Sequence, residues 1–373
     1  MRTLLASSFA RRTATLTKAV TSADGSATKL LLRLQDGLDI ETVIMRYDTS
    51  TSTSGAAEAD EQEEGEPGGT PVSTSTKKKP TGGRRATVCV SSEVGCAMAC
   101  QFCATGTMGL LGDLTAGEIV EQLDWAAAVL AGSGEAAPRN VVFMGMGEPL
   151  NNYPAVRGAA RCMTAPSRWA LRRSGVTIST VGVIPRLADL ARDLPGVSLA
   201  LSLHSPTQAG RAAIVPSARA YPLPKLMAAV DAYQVVTRQK VFVEYVLLAG
   251  VNDSPADAAA LAALLGSPDR APAGLHLNLI PWNPVLAAGD AADAPPGAPS
   301  APMKYAAPDP GAVEHFAAAV RGAGVPVTVR AEKGQDISGA CGQLVVQKGG
   351  GGGCAGGGGG AADVEDLVPA TPA

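Results

Sequence analysis

Aromatic residues are scarce in this chain. Phe, Tyr and Trp together make up 4% of 373 residues, while apolar residues as a whole reach 46%. A core must therefore come mostly from Ala, Val, Leu and Ile. No run of eighteen apolar residues occurs, so no membrane-spanning helix is expected. Excess positive charge is also missing: 31 Lys and Arg face 34 Asp and Glu, a net charge of −3. That excludes a protein held on nucleic acid by bulk charge, but not a local basic groove. The first twenty residues contain no acid and are rich in Ser, Thr and Arg. This is the composition of an organelle transit peptide, and it suits equally a helix leading into the first strand. A clear secretory signal is absent. The seven cysteines, three of them tightly clustered, thus read as metal or redox chemistry rather than a disulfide framework.

Residues 28–47, "TKLLLRLQDGLDIETVIMRY", alternate apolar and polar positions around "DG" and predict a β-hairpin. Residues 1–27 before it are a transit segment or the remnant of a further domain. Residues 48–83 hold Ser/Thr repeats, then "EADEQEEGEPGG", then "KKKPTGG". Nothing there can bury a core, which predicts a disordered insertion. From 84 to 348 strand and helix patterns alternate about six times. The strands are "ATVCVSS", "NVVFMGMG", "GVTISTVG", "GVSLALSLH", "KVFVEYVLL", "GLHLNLIPWN" and "VPVTVR". Helices are expected from Thr115, an N-cap with Glu118 in a capping box, and over 186–194, 222–238, 255–265 and 311–323. This is an α/β chain with a parallel sheet, best fitted by an incomplete (β/α)6 barrel. Residues 285–310 read as a long Ala/Pro/Gly loop, and 349–373 as a disordered Gly-rich tail.

The stretch "GCAMACQFCATG" places Cys96, Cys100 and Cys103 in eight residues, as C-x3-C-x2-C. Zinc usually takes two pairs of ligands, and no nearby His or Asp offers an obvious fourth. A cubane iron–sulfur cluster held by three Cys leaves one iron open to a substrate group. This spacing, in a loop after the first strand of a βα series, resembles the signature of radical S-adenosylmethionine (SAM) enzymes. "FMGMGEPLNN" adds a glycine turn, in which Gly145 and Gly147 would let a cofactor approach the backbone. Glu148 there could accept hydrogen bonds from an α-amino group.

Six motifs occur in order: "CVSSEVGCAMACQFCATG", "FMGMGEPLNN", "ISTVGVIPRL", "LALSLHSP", "LIPWNP" and "GQDISGACGQL". Together they resemble the RlmN/Cfr family of radical-SAM RNA methyltransferases. The likeness covers about 28–348 apart from the low-complexity insertions. It implies a partial barrel of the radical-SAM type, a 4Fe–4S cluster on Cys96, Cys100 and Cys103, and SAM held by Gly147, Glu148, Ser179, Ser202, Leu203, His204 and Asn283. It further implies that Cys341 accepts a methyl group, which becomes a carbon radical and adds to an adenine. Cys89 then resolves the adduct by forming a disulfide with Cys341, and Glu41 removes the ring proton. The expected substrate is large-subunit rRNA, with tRNA as an extension, modified at carbon 2. The alternatives are carbon 8 by the same mechanism, and a non-catalytic RNA-binding assembly factor. A low-potential donor such as ferredoxin or flavodoxin, a monomer, no membrane contact, and a cytoplasmic or organellar location complete the expectation. Family members carry a helical accessory domain ahead of the hairpin, where this sequence has 27 residues.

Plainer readings apply to other residues. Without the resemblance, His204 at a strand end reads as a core histidine. Cys162 reads as a buried small residue and Cys354 as an inert exposed thiol. Lys77–Lys79 with Arg84 and Arg85 read as a solvated linker. Arg168, Arg172 and Arg173 suit an exposed helix end as well as RNA phosphates.

Overall fold

The computed structural model of the protein describes residues 12–48, 84–270, 274–285 and 303–346. The expected insertion (apart from Asp48 at its edge), the Gly-rich tail, Cys354 and Lys77–Lys79 lie outside the described residues.

Ten strands form one sheet. Its first four are β1 (Thr15–Thr21), β2 (Ala27–Arg33), β3 (Asp39–Asp48) and β4 (Arg84–Cys89), paired antiparallel. From β4 onward every pairing is parallel: β7 (Asn140–Phe143), β8 (Val176–Thr180), β9 (Ser198–Ser202), β10 (Val241–Leu247), β11 (Leu275–Pro281) and a short β12 (Val327–Val329) follow. β1 and β12 are the two edges and do not pair, so the barrel is open. Two further strands, β5 (Glu93–Cys96) and β6 (Gly109–Asp113), make a small hairpin of their own. It encloses α1 (Ala104–Met108).

Helices α2 (Ala116–Gly132), α3 (Tyr153–Thr164), α4 (Ile184–Asp193), α5 (Gln208–Ile214), α6 (Leu223–Thr237), α7 (Pro255–Leu265) and α8 (Pro310–Gly322) connect the strands. α2 starts at the predicted Thr115: its side chain accepts from Glu118 N, and the Glu118 carboxylate accepts from Thr115 N at 2.8 Å. α7 repeats the device with Ser254 and Asp257. Each such cap contributes about 1 kcal/mol. Among the described residues no helix is long and apolar enough to cross a membrane.

The hairpin β2–β3 forms as the alternation predicts. Its turn closes at the "DG" pair, where Gly37 has φ +84° and Leu38 N donates to Asp36 at 2.9 Å. Leu30, Leu32, Ile40 and Ile44 from it are fully buried, each stabilising the fold by roughly 1.5–3 kcal/mol. The core is aliphatic, as the composition requires. Five elements were not expected from the sequence: β1, the β5–β6 hairpin, α1, α3 and α5. "ATVCVSS" ends as a strand at Cys89, three residues before the predicted limit of 92.

Candidate active site

The motif residues gather at the carboxyl ends of the parallel strands, where barrel enzymes place their chemistry. Cys96 ends β5, Cys100 lies in the following turn and Cys103 is the N-cap of α1. Local backbone demands shape this loop. Gly95 has φ +76°, and a Cβ there would stand 1.9 Å from Gly109 O. Ala99 adopts φ 53°. All three thiols are free. Burial, and the neighbouring thiols and carboxylates, raise Cys96 and Cys100 above the ordinary thiol range. The three are thus close enough to interact. Among the described residues, however, no three His, Cys, Asp or Glu side chains converge as ligands of one ion would. Three thiols in one loop, with no fourth ligand gathered beside them among the described residues, suit a cluster with one open iron better than a four-coordinate zinc.

The "GMGEP" turn is organised by protein contacts. A Cβ on Gly145 would lie 2.8 Å from Val90 O, and one on Gly147 would lie 2.6 Å from Glu93 Cβ. These glycines let the turn pack closely on residues 90–93. Glu148 is buried. Its carboxylate accepts from Leu150 N and Val181 N, both at 2.9 Å, tying the turn to the end of β8. Glu148 N donates to Glu93 Oε2 at 2.9 Å, while Glu93 Oε1 is buried without a partner. Burial pushes the Glu93 carboxyl up to about 7. Gly147→Ala at φ +98° is expected to destabilise the fold by about 1–3 kcal/mol. A lower denaturant midpoint at unchanged m-value would register it.

Ser179 and Ser202 meet across β8 and β9, hydroxyl to hydroxyl at 3.2 Å. Leu203 N donates to Glu244 O at 3.0 Å. His204 is buried with φ +60°, and its Nδ1 accepts from Val246 N at 3.1 Å. Its ring packs edge-on to Phe102 of the cysteine loop, with centroids 4.7 Å apart. Burial lowers it to about 3, so it stays neutral. His204 therefore joins the strand end to the cysteine loop as a packed, hydrogen-bonded ring.

A solvent-open cavity, about 640 Å³ with the open solvent inside it counted, joins Cys89 and Cys341. Cys89 and Cys341 both line it, with Asn283, Met144, Arg330 and Tyr47. Burial pushes the Cys89 thiol up to about 12. Cys341 is exposed to the cavity, yet the protein packed around it still raises its thiol to about 11. Asn283 Nδ2 donates to Cys341 O at 3.0 Å, and its Oδ1 is buried and unpartnered. The Gly-flanked Cys341 segment is pinned at several further points. Ala104 N donates to Gly342 O at 2.7 Å, Thr105 Oγ1 to Leu344 O at 2.6 Å and Lys29 Nζ to Ser338 O at 3.3 Å.

Glu41 holds the same segment, accepting from Val345 N at 2.9 Å and pairing with Lys29 at 2.8 Å. It is buried and does not line the cavity, though Val43, Met45 and Tyr47 on the same face of β3 do. Cys162 is half-buried on α3, and Arg168, Arg172 and Arg173 are exposed in the loop after it. That loop leads into the amino end of β8, away from the strand ends that carry the site.

The sequence reading missed Glu93, Arg211 and the chain Arg330–Glu244–Asn278. Arg330 Nη1 lies 3.3 Å from Glu244 Oε2, and Asn278 Nδ2 donates to Glu244 Oε1 at 2.9 Å. Its signal was the acid inside the apolar strand "KVFVEYVLL", since a buried charge demands a partner.

Residues 90–262 match the model of the Radical SAM superfamily. The chain is 39% identical over 326 residues to a probable dual-specificity RNA methyltransferase RlmN of Chloroflexus aurantiacus, covering 86% of this chain and 73% of the relative. The chain belongs to the RlmN/Cfr family of radical-SAM RNA methyltransferases. An RlmN protein of Moorella thermoacetica is also 39% identical, over 87% of this chain and 77% of its own. A crystal structure of a radical SAM methyltransferase from Sphaerobacter thermophilus superimposes with a TM-score of 0.74 at 37% identity, covering 92% of this chain and 84% of that one. As a member of this RlmN/Cfr family, the protein is a SAM-dependent RNA methyltransferase that uses a 4Fe–4S cluster.

Proposed function

We propose that this RlmN/Cfr protein methylates carbon 2 of an adenine in large-subunit rRNA, and in tRNA, through an S-methylcysteine on Cys341. The observation that carries this reading is the shared cavity. Two free thiols from opposite ends of the core, Cys89 and Cys341, line one space at the strand ends. Cys96, Cys100 and Cys103 hold the cluster. Gly147, Glu148, Ser179, Ser202, Leu203, His204 and Asn283 form the SAM pocket, partly through backbone atoms, since several of their side chains are already engaged. When bound, the cluster supplies the electron that cleaves SAM to a 5′-deoxyadenosyl radical.

An adenine ring carbon has no lone pair with which to attack a sulfonium. The Cys341 thiolate does, and takes the methyl group first. The 5′-deoxyadenosyl radical takes one hydrogen atom from that S-methyl, becoming 5′-deoxyadenosine, and the carbon radical left behind adds to the base. Glu41 takes the ring proton. Its place on the cavity-facing side of β3 and its burial-raised pKa suit a base. Val345 must release it, so movement of the Cys341 segment belongs to the cycle. Once the adduct has given up its unpaired electron to the electron-transfer partner, Cys89 attacks the Cys341 sulfur: the S–S bond forms, the bond from that sulfur to the added carbon breaks, and the carbon takes up a proton to leave as the methyl group of the RNA. The electron comes from a low-potential donor such as ferredoxin or flavodoxin, and the protein acts as a cytoplasmic monomer.

Anaerobic reconstitution with iron and sulfide, then turnover on RNA fragments with labelled SAM, tests the reading. Digestion of the product should yield 2-methyladenosine. Recovery of 8-methyladenosine would move the site to carbon 8. No label in RNA, from protein that cleaves SAM, would overturn the RNA substrates proposed.

A further inference from the structure

Arg211 is among the largest fully buried side chains in the protein, at 0% exposure. It lies on α5, the helix against which the cysteine loop rests through Gln101 N and Ile214 O at 2.9 Å. Its guanidinium ties strand ends together. Nε donates to Leu203 O at 3.1 Å, and Nη2 donates to Ser202 O at 3.3 Å and to Val181 O. These carbonyls satisfy N–H groups but do not neutralise the charge. Nη1 is buried with no partner at all. Among the described residues no carboxylate lies within ion-pairing distance of it. An uncompensated cation and an orphaned N–H, both cut off from water, are costly and call for an anion. The ionisable side chains that bear on Arg211 are Cys100 and His204, and His204 is neutral.

We infer that Arg211 is the counter-charge of the cluster, its free N–H and its positive charge answered by the Cys100 thiolate once iron is bound. This rests on Cys100 being a cluster ligand, but not on the identity of the RNA target. A fixed cation in a low-dielectric site favours the more negative of two redox states. Reduction of the cluster adds one electron and no proton, so Arg211 raises the reduction potential and eases electron entry from the donor. A purely structural arginine would knit β8 to β9 and leave that potential untouched.

The test compares Arg211→Gln with Arg211→Lys by EPR-monitored titration with dithionite, alongside iron content and a melting curve of the apo form. Iron content of the unsubstituted protein against Cys100→Ala reports separately on the ligand assignment. The Gln variant should show at least a tenfold lower ratio of reduced to oxidised cluster at a fixed potential, about 59 mV for one electron. The Lys variant should stay near the unsubstituted protein. A Gln variant that folds but takes up no cluster, where Lys does, also supports the inference. Three results overturn it: an unchanged midpoint in loaded Gln variant, equal shifts in both variants, or loss of the folded apo form in both.

Discussion

Cys341→Ala should place no methyl group on RNA, while Cys89→Ala should leave the protein covalently joined to it. The two thiols line one cavity, but they serve opposite ends of the cycle. Cys341 accepts the methyl group, so its loss stops the reaction before any carbon reaches the base. Labelled SAM should give RNA label at background. Without Cys89, methyl transfer to Cys341, radical formation and addition all proceed, and the adduct then has no thiol to resolve it. Cys89→Ala isolated with its RNA should run as a band that shifts down after nuclease treatment. Normal turnover by Cys89→Ala, or label in RNA from Cys341→Ala, would remove the S-methylcysteine mechanism. Both thiols sit above the ordinary range. The reactive thiolate fraction, and with it the rate of adduct resolution, should therefore rise with pH across the neutral range.

The second large effect concerns the cysteine loop. Alanine at Cys96, Cys100 or Cys103 is expected to abolish SAM cleavage and most iron uptake, while the sheet still folds. Each thiol belongs to a loop fixed by its own backbone, through Gly95 and the bond from Cys103 N to Cys100 O at 3.2 Å. Losing one sulfur should therefore not unfold the loop. Iron analysis, visible absorbance and release of 5′-deoxyadenosine measure the outcome. A colourless protein holding one tight zinc would contradict the assignment.

The parallel core was legible because its strands are buried on both faces and read as unbroken apolar runs. The missed elements lack such signals. β1 carries a bulge between Leu16 and Lys18. Its buried residues Leu16 and Ala19 therefore fall out of the period-2 pattern on which strand reading depends. β5 and β6 span four and five residues with few apolar positions. α3 carries Pro154 at its start and Gly158 inside, both of which weaken a helical pattern. The site was legible as motifs but not as contacts. The glycines of "GMGEP" stood out, but their close approach to Val90, Ser91 and Glu93 did not. Arg211 follows an "AG" pair in a polar stretch, and nothing local distinguishes it from a surface arginine.

The clamp on the Cys341 segment also sets an order of events during synthesis. Glu41 meets Val345 across 304 residues of chain, and Ala23 meets Asp336 across 313. A chain emerging from the ribosome shows its N-terminal hairpin and all three cysteines of the loop long before the last segment exists. Contacts so distant in sequence close late. The methyl-accepting cysteine therefore docks last, over a scaffold already in place. An unfinished chain carries the three thiols of the loop but no methyl-accepting cysteine for the radical to act on.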